Sequence, residues 1–153
     1  MGRVEKSIEI KAPPEKVWEM LALDRLPEWE EGWKGHLKGV EYTSEVRTPE
    51  DKYRVGATAH GIPKKQGKSI KLNFEITESL ENKKITYRFL YLKARVHATY
   101  ILEPVEEGTK FTYVVDYEMP WSILGKILGK LTTVGAGREY ERSLENFKSI
   151  LEK

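Results

Sequence analysis

The sequence predicts an α+β fold in which a curved, seven-stranded antiparallel sheet carries one long C-terminal helix across its apolar face. Three observations predict it. The chain opens with an alternating strand, Ile8-Glu9-Ile10-Lys11, that passes through Ala12-Pro13-Pro14 into a short amphipathic helix. Six further strand-like runs follow. A long apolar-faced helix, Glu139 to Lys153, closes the chain. A curved sheet roofed by such a helix tends to enclose a cavity, and a cavity suggests a ligand.

The first strand covers Val4 to Lys11, and the first helix Pro14 to Ala22. Proline suits a first helical turn, where the N–H it lacks would have no intrahelical partner, and Val17, Trp18 and Leu21 fall on one face. Asp24 is placed to cap a second short helix holding Leu26, Trp29 and Trp33. The second strand runs from Lys34 to Val46 and the third from Tyr53 to Ile62, before a polar turn over Gly61 to Lys68. In the fourth, Ile70, Leu72, Phe74 and Ile76 alternate with Lys71, Asn73, Glu75 and Thr77.

The last three hairpins test one another, because paired residues share a face and a one-residue slip turns every side chain over. A loop at Val105–Gly108 sets Leu102 opposite Phe111, Tyr100 opposite Tyr113, Ala98 opposite Val115 and Val96 opposite Tyr117. A turn at Lys93-Ala94 sets Tyr91 opposite Val96, Phe89 opposite Ala98 and Tyr87 opposite Tyr100. A loop at Glu81–Lys84 then places Phe89 against Ile76 and Tyr91 against Phe74. Four strands thus share one apolar, aromatic-rich face, while Lys71, Glu75, Arg88, Arg95, Thr99 and Asp116 occupy the other. A sheet of this kind must be covered on its apolar side.

The cover is the C-terminal helix, where Tyr140, Leu144, Phe147 and Leu151 form a helical stripe. Glu139 with Arg142 and Glu145 with Lys148 make i,i+3 pairs on its outer surface. Upstream, Ile123 to Leu131 also has helical period, but Gly125, Gly129, Gly135 and Gly137 each cost about 1 kcal/mol relative to alanine in a helix interior. They loosen, bend or interrupt this stretch.

The chain's 153 residues suffice for one domain, residues 1–153, with a substantial core. Its 26 basic and 24 acidic residues leave a net charge of only +2, without the basic excess of a nucleic-acid binder. The interspersed charges suit a solvated surface and are compatible with thermophile-like ion pairs. With no cysteine, the chain has no disulfide, thiolate nucleophile or zinc–thiolate site. His36, His60 and His97 are scattered and make no metal site on their face, so no cofactor is expected. No apolar run approaches the roughly 20 residues of a membrane span, and the N-terminus lacks an apolar signal core. The expectation is a cytoplasmic protein with no stable membrane insertion; its oligomeric state is unknown from sequence.

The segments Ile10-Lys11-Ala12-Pro13-Pro14-Glu15-Lys16-Val17-Trp18-Glu19 and Leu26-Pro27-Glu28-Trp29 resemble the START-related helix-grip superfamily (SRPBCC). So do Leu102 to Tyr113 and Ser143-Leu144-Glu145-Asn146-Phe147-Lys148, and the nearest branch is the polyketide cyclase/dehydrase-like one. The resemblance spans the chain and is specific for fold but weak for chemistry. It implies a β-α-α-β6-α order and a deep apolar cavity between sheet and long helix, in a group that includes lipid and hormone carriers and aromatase/cyclases.

The candidate lining is Phe74, Tyr87, Phe89, Tyr100, Tyr113 and Tyr117 from the sheet, with Ile127, Leu128, Leu131 and Val134 from the glycine-rich segment. The same residues could pack solidly against each other. An empty void costs on the order of 24 cal/mol per Å³, so a large one argues for an occupant. Buried phenols need hydrogen-bond partners. Four tyrosines on one face therefore suit a wet cavity or a polar-edged ligand, unless each reaches the sheet rim.

The leading expectation is a binder or carrier of a small hydrophobic molecule, lipid-like, isoprenoid or aromatic polyketide-like. The alternative is a cyclase/dehydratase-type enzyme using His60 or a pocket tyrosine as general acid or base. His60 faces inward with a five-residue turn at Pro63–Gly67; a four-residue turn sends Val55, Ala57, Ala59 and Gly61 inward instead. His97, Asp116 and Glu118 face outward, and no nucleophile–base–orienter set converges on the apolar face. A third reading makes Trp121 to Leu131, with Lys126 and Lys130, an interfacial membrane helix, against which stands simple packing on the sheet.

Overall fold

A computed structural model describes residues 2–30, 37–63, 72–91, 94–118 and 134–152; side chains at 91, 94 and 134–140 fall outside that description. The elements are β1 (Gly2–Ile10), α1 (Pro14–Glu19), a 3-10 turn (Leu23–Arg25), α2 (Leu26–Trp29), β2 (Leu37–Tyr42), a second 3-10 turn (Pro49–Tyr53), β3 (Thr58–Pro63), β4 (Asn73–Leu80), β5 (Lys84–Tyr91), β6 (Ala94–Val105), β7 (Gly108–Glu118) and α3 (Val134–Leu151). They form one antiparallel sheet in the order β1-β7-β6-β5-β4-β3-β2, the α+β helix-grip arrangement that the sequence predicts. β1 closes against the last strand, β7, with Val4 opposite Val115 and Ile8 opposite Phe111.

Two proline effects appear as expected. Pro13 is the N-cap of α1 and Pro14 its first residue, so neither removes a needed intrahelical bond. The Asp24 cap does not form: Arg25 is the N-cap of α2, without a side-chain cap, and the Asp24 carboxylate instead accepts from Lys52 Nζ at 2.9 Å. A long-range ion pair displaced the local cap. Gly108 is required sterically, since a Cβ there would collide with the carbonyl oxygen of Ile10 where β7 meets the end of β1.

The β6–β7 pairing has Leu102 opposite Phe111, Tyr100 opposite Tyr113, Ala98 opposite Val115 and Val96 opposite Tyr117, as the sequence predicts. The β5–β6 pairing is displaced by two residues from the expected one: Phe89 faces Val96, Tyr87 faces Ala98 and Ile85 faces Tyr100. On the next strand Ile76 opposes Tyr87, beside a bulge between Ile76 and Glu78. A displacement of two preserves every facing, so the aromatic face survives while its diagonal neighbours change.

α3 starts at Val134, upstream of the expected Glu139, so Gly135 and Gly137 lie within it rather than before it. Leu144 and Phe147 are buried, and Ile150 and Leu151 half-buried, against the sheet. Phe147 stacks on Phe111 at 4.6 Å and meets Trp29 edge-on at 4.7 Å. Lys148 faces Glu152 at 3.7 Å rather than Glu145, and Glu141 reaches Lys6 of β1 at 3.3 Å.

Candidate functional site

The inner face of the sheet is graded in burial. The rows Leu102–Phe111, Ile85–Tyr100–Tyr113 and Tyr87–Ala98–Val115 are buried, with Tyr100, Phe111 and Trp29 at 0% exposure. The next row, Phe89–Val96–Tyr117, is only half-buried. Trp29 covers Tyr100, Phe111 and Tyr113 of the buried rows. α2 drops its indole onto the sheet, with edge contacts to Tyr100 at 5.4 Å, Phe111 at 6.1 Å and Tyr113 at 6.1 Å. Its Nε1–H donates to the Met20 carbonyl at 3.2 Å, and its carbonyl accepts from Asn146 of α3 at 3.3 Å. This half is filled by protein.

Tyr87 joins the two halves. Its ring lies 5.7 Å from Phe74 and 6.0 Å from Phe89 on one side and 5.5 Å from Tyr100 on the other. The hydroxyls of Tyr87, Tyr100 and Tyr113 are buried and reach neither the rim nor bulk water. Tyr100 and Tyr113 both donate to Glu30 Oε2, at 3.0 and 2.7 Å, and the Tyr87 and Tyr100 hydroxyls hydrogen-bond to each other. Glu30, at 4% exposure, caps the C-terminal end of α2. A carboxylate taken out of water at a cost of several kcal/mol needs this satisfaction. Burial, then the neighbouring Tyr113, Tyr87 and Glu30, hold the Tyr100 hydroxyl well above the ordinary phenol range, so it keeps its proton.

Sequence reasoning missed Glu30. The available signal was indirect: inward tyrosines without an acceptor on their own strands require one from another element. Glu30 follows Trp29, which the sequence places on the second short helix.

Of the predicted lining, Phe74, Tyr87, Tyr100 and Tyr113 are buried on the inner face and Phe89 and Tyr117 half-buried on it. Ile127, Leu128 and Leu131 lie outside the described residues, as do Trp33, Trp121 and His36; Val134 is the first residue of α3, its side chain undescribed. His60 is on the outer face: Ala57, Ala59 and Gly61 turn inward, and the His60 Nε2 lies 3.6 Å from the Glu41 carboxylate, opposite it on β2. Val55, the fourth residue in that alternative, is exposed.

The outer face carries a row of paired side chains across the strands: Thr58, Glu75, Arg88, His97, Asp116 and Arg3. Arg88 donates to Glu75 at 2.8 Å and Arg3 to Asp116 at 2.7 Å. A groove of about 630 Å³ is lined by Thr58, Glu75, Arg88, Arg95, His97 and Glu118 from this side and by Ala59, Phe74, Phe89 and Val96 of the inner face. Among the described residues, no group of three or more His, Asp or Glu could hold a metal ion. Nor is any helix among them long and apolar enough to cross a membrane.

Residues 1–152 match the family described as polyketide cyclase/dehydrase and lipid transport. Solved structures share the fold at low identity. A Mesorhizobium loti protein is 19% identical, with a TM-score of 0.68 over 99% of this chain and 97% of its own. A Rhodobacter sphaeroides protein is 21% identical, with a TM-score of 0.66 over 98% and 91%. A protein of the dynemicin biosynthetic locus is 15% identical, with a TM-score of 0.62 over 99% of this chain and 47% of its own. No curated protein matches the chain.

Proposed function

The chain belongs to the polyketide cyclase/dehydrase and lipid transport family, and on that premise we propose that it binds a small hydrophobic ligand between the sheet and the C-terminal helix. The ligand is lipid-like, isoprenoid or aromatic polyketide-like. The observation that carries this reading is the burial gradient: Trp29 and Phe147 fill the space over Tyr100 and Phe111, while Phe89, Val96 and Tyr117 stay half-buried at the other end of the same apolar face. Phe74 and Tyr87 back that open half, and Tyr100 and Tyr113 support it from behind through their hydroxyls. Ile127, Leu128, Leu131 and Val134 complete the wall in this proposal. Aromatic walls supply large apolar contact area, and a few hydroxyls orient the guest.

Non-covalent binding is favoured over a cyclase/dehydratase reaction. The inner-face phenol at the centre of the cluster holds its proton tightly, which suits a hydrogen-bond donor better than an acid that must release it near neutral pH. His60, the other acid–base candidate, pairs with Glu41 on the outer face.

Native mass spectrometry of the purified protein, with organic extraction of the same sample, tests the proposal. The expected result is one small apolar molecule retained per chain and released by extraction. Protein of unladen mass that also takes up no neutral apolar dye would contradict it.

A further inference from the structure

The half-buried row of the inner face extends one strand further, onto a glycine. Gly2 of β1 pairs with Tyr117 of β7, which pairs with Val96 of β6, which pairs with Phe89 of β5. Residues paired in this way share a face of the sheet. A Cβ built on Gly2 would fall on the far end of the Tyr117 ring, at its Cζ, Oη and Cε2. The phenol of Tyr117 therefore rests over the backbone of β1, in space that any side chain at position 2 would occupy. Glycine inside a strand weakens it and marks a place where another group comes close. Here the group is an aromatic ring from the neighbouring strand. Because β1 and β6 flank β7 on opposite sides, a ring that leans over β1 leans away from Val96. The groove of about 630 Å³ agrees with this: Phe89 and Val96 line it, and Tyr117 does not.

Building on the hydrophobic-ligand reading above, we propose that Tyr117 controls access to the ligand site, and that glycine at position 2 holds the site open by giving the ring a resting place over β1. A tyrosine on a strand has two common χ1 positions, so its ring can lean to either side. One is the position over Gly2. The other turns the ring toward β6, over Val96 and across the row that ends on Phe89. Gly2 is a positioning residue in this account, acting on the ligand only through Tyr117.

The test is uptake of the neutral dye N-phenylnaphthylamine by the wild type, Gly2→Val, Tyr117→Ala and the double variant, read beside the nuclear Overhauser contacts of the Tyr117 ring. In the wild type the ring protons should contact the Gly2 α-protons. In Gly2→Val they should contact the Val96 methyls instead. The dye should then bind about tenfold more weakly, as expected when the open arrangement falls to about a tenth of the population. Tyr117→Ala should bind the dye at least as well as the wild type, and adding it to Gly2→Val should restore uptake. Gly2→Ala, which adds the Cβ alone, should act in the same direction and serves if the valine variant does not fold. Full uptake by the position-2 variants, or weak uptake that Tyr117→Ala does not restore, would overturn the inference and leave the hydrophobic site standing. Uptake by Tyr117→Ala but not by the wild type would also overturn it, since the wild-type ring would then be closed. Absence of uptake from every form would instead remove the site and the inference with it.

Discussion

On the inner side of β5, β6 and β7, Tyr87, Tyr100 and Tyr113 bring three hydroxyls together around the buried Glu30 carboxylate. On the outer side of the same strands, Arg88, His97 and Asp116 belong to a row of polar side chains open to water, with Arg88 paired to Glu75 and Asp116 to Arg3. The chemistry of the two rows is similar, yet their energetic standing differs. An exposed ion pair exchanges one hydrated state for another and contributes about 0–1 kcal/mol. A buried hydrogen-bonded cluster has no water to fall back on, so losing one member leaves the others unsatisfied. The inner row specifies an arrangement; the outer row chiefly keeps the sheet wet.

The largest expected effect is on the aromatic that closes the inner cluster. Trp29→Ala should destabilise by about 3–5 kcal/mol, lowering the thermal midpoint by roughly 10 °C in circular dichroism. A loss below about 1 kcal/mol would mean that the closed half is not filled as described. Next comes Tyr100→Phe, expected to cost about 1–3 kcal/mol in denaturant titration, because Glu30 and Tyr87 both lose a partner. Its outer counterpart, Glu75→Ala, should change stability by no more than about 0.5 kcal/mol. Equal costs for the two would erase the contrast between the faces.

Alkaline titration sharpens the same comparison. Burial, followed by Tyr113, Tyr87 and Glu30, raises the folded-state value of Tyr100, and burial pushes Tyr53 up to about 12. Their contribution is complete below the ordinary phenol value of about 10. Above it the unfolded chain releases protons that the folded chain retains, so stability should fall as pH rises. The slope of stability against pH in that range should be shallower in Tyr100→Phe, and the phenolate absorbance that this variant lacks should appear in the wild type with unfolding rather than before it. Identical slopes would show that Tyr100 contributes no such linkage.

The facing of β4 to β7 was legible because alternation of apolar and polar residues has period two, the same as the strand. Register was less legible for the same reason: pairing Tyr87 with Ala98 or with Tyr100 puts the same side chains inward, and alternation cannot distinguish them. The Asp24 cap was a sound local reading overruled by Lys52, which is 28 residues away. Glu30 was the costliest omission. Its partners lie 70 and 83 residues distant, and no spacing rule links a helix-terminal carboxylate to hydroxyls on two later strands. His60 carried two possible facings in the sequence, and the inward Ala57 and Ala59 decide between them.

The most direct measurement of whether the half-buried end of the inner face holds a ligand is N-phenylnaphthylamine binding by the wild type and by Val96→Trp, which puts an indole between Phe89 and Tyr117. A ligand site there predicts saturable uptake of about one dye per chain in the wild type and at least about tenfold weaker uptake in the variant, with the thermal midpoint little changed. Dye binding that is absent from the wild type, or undiminished in Val96→Trp, would contradict it.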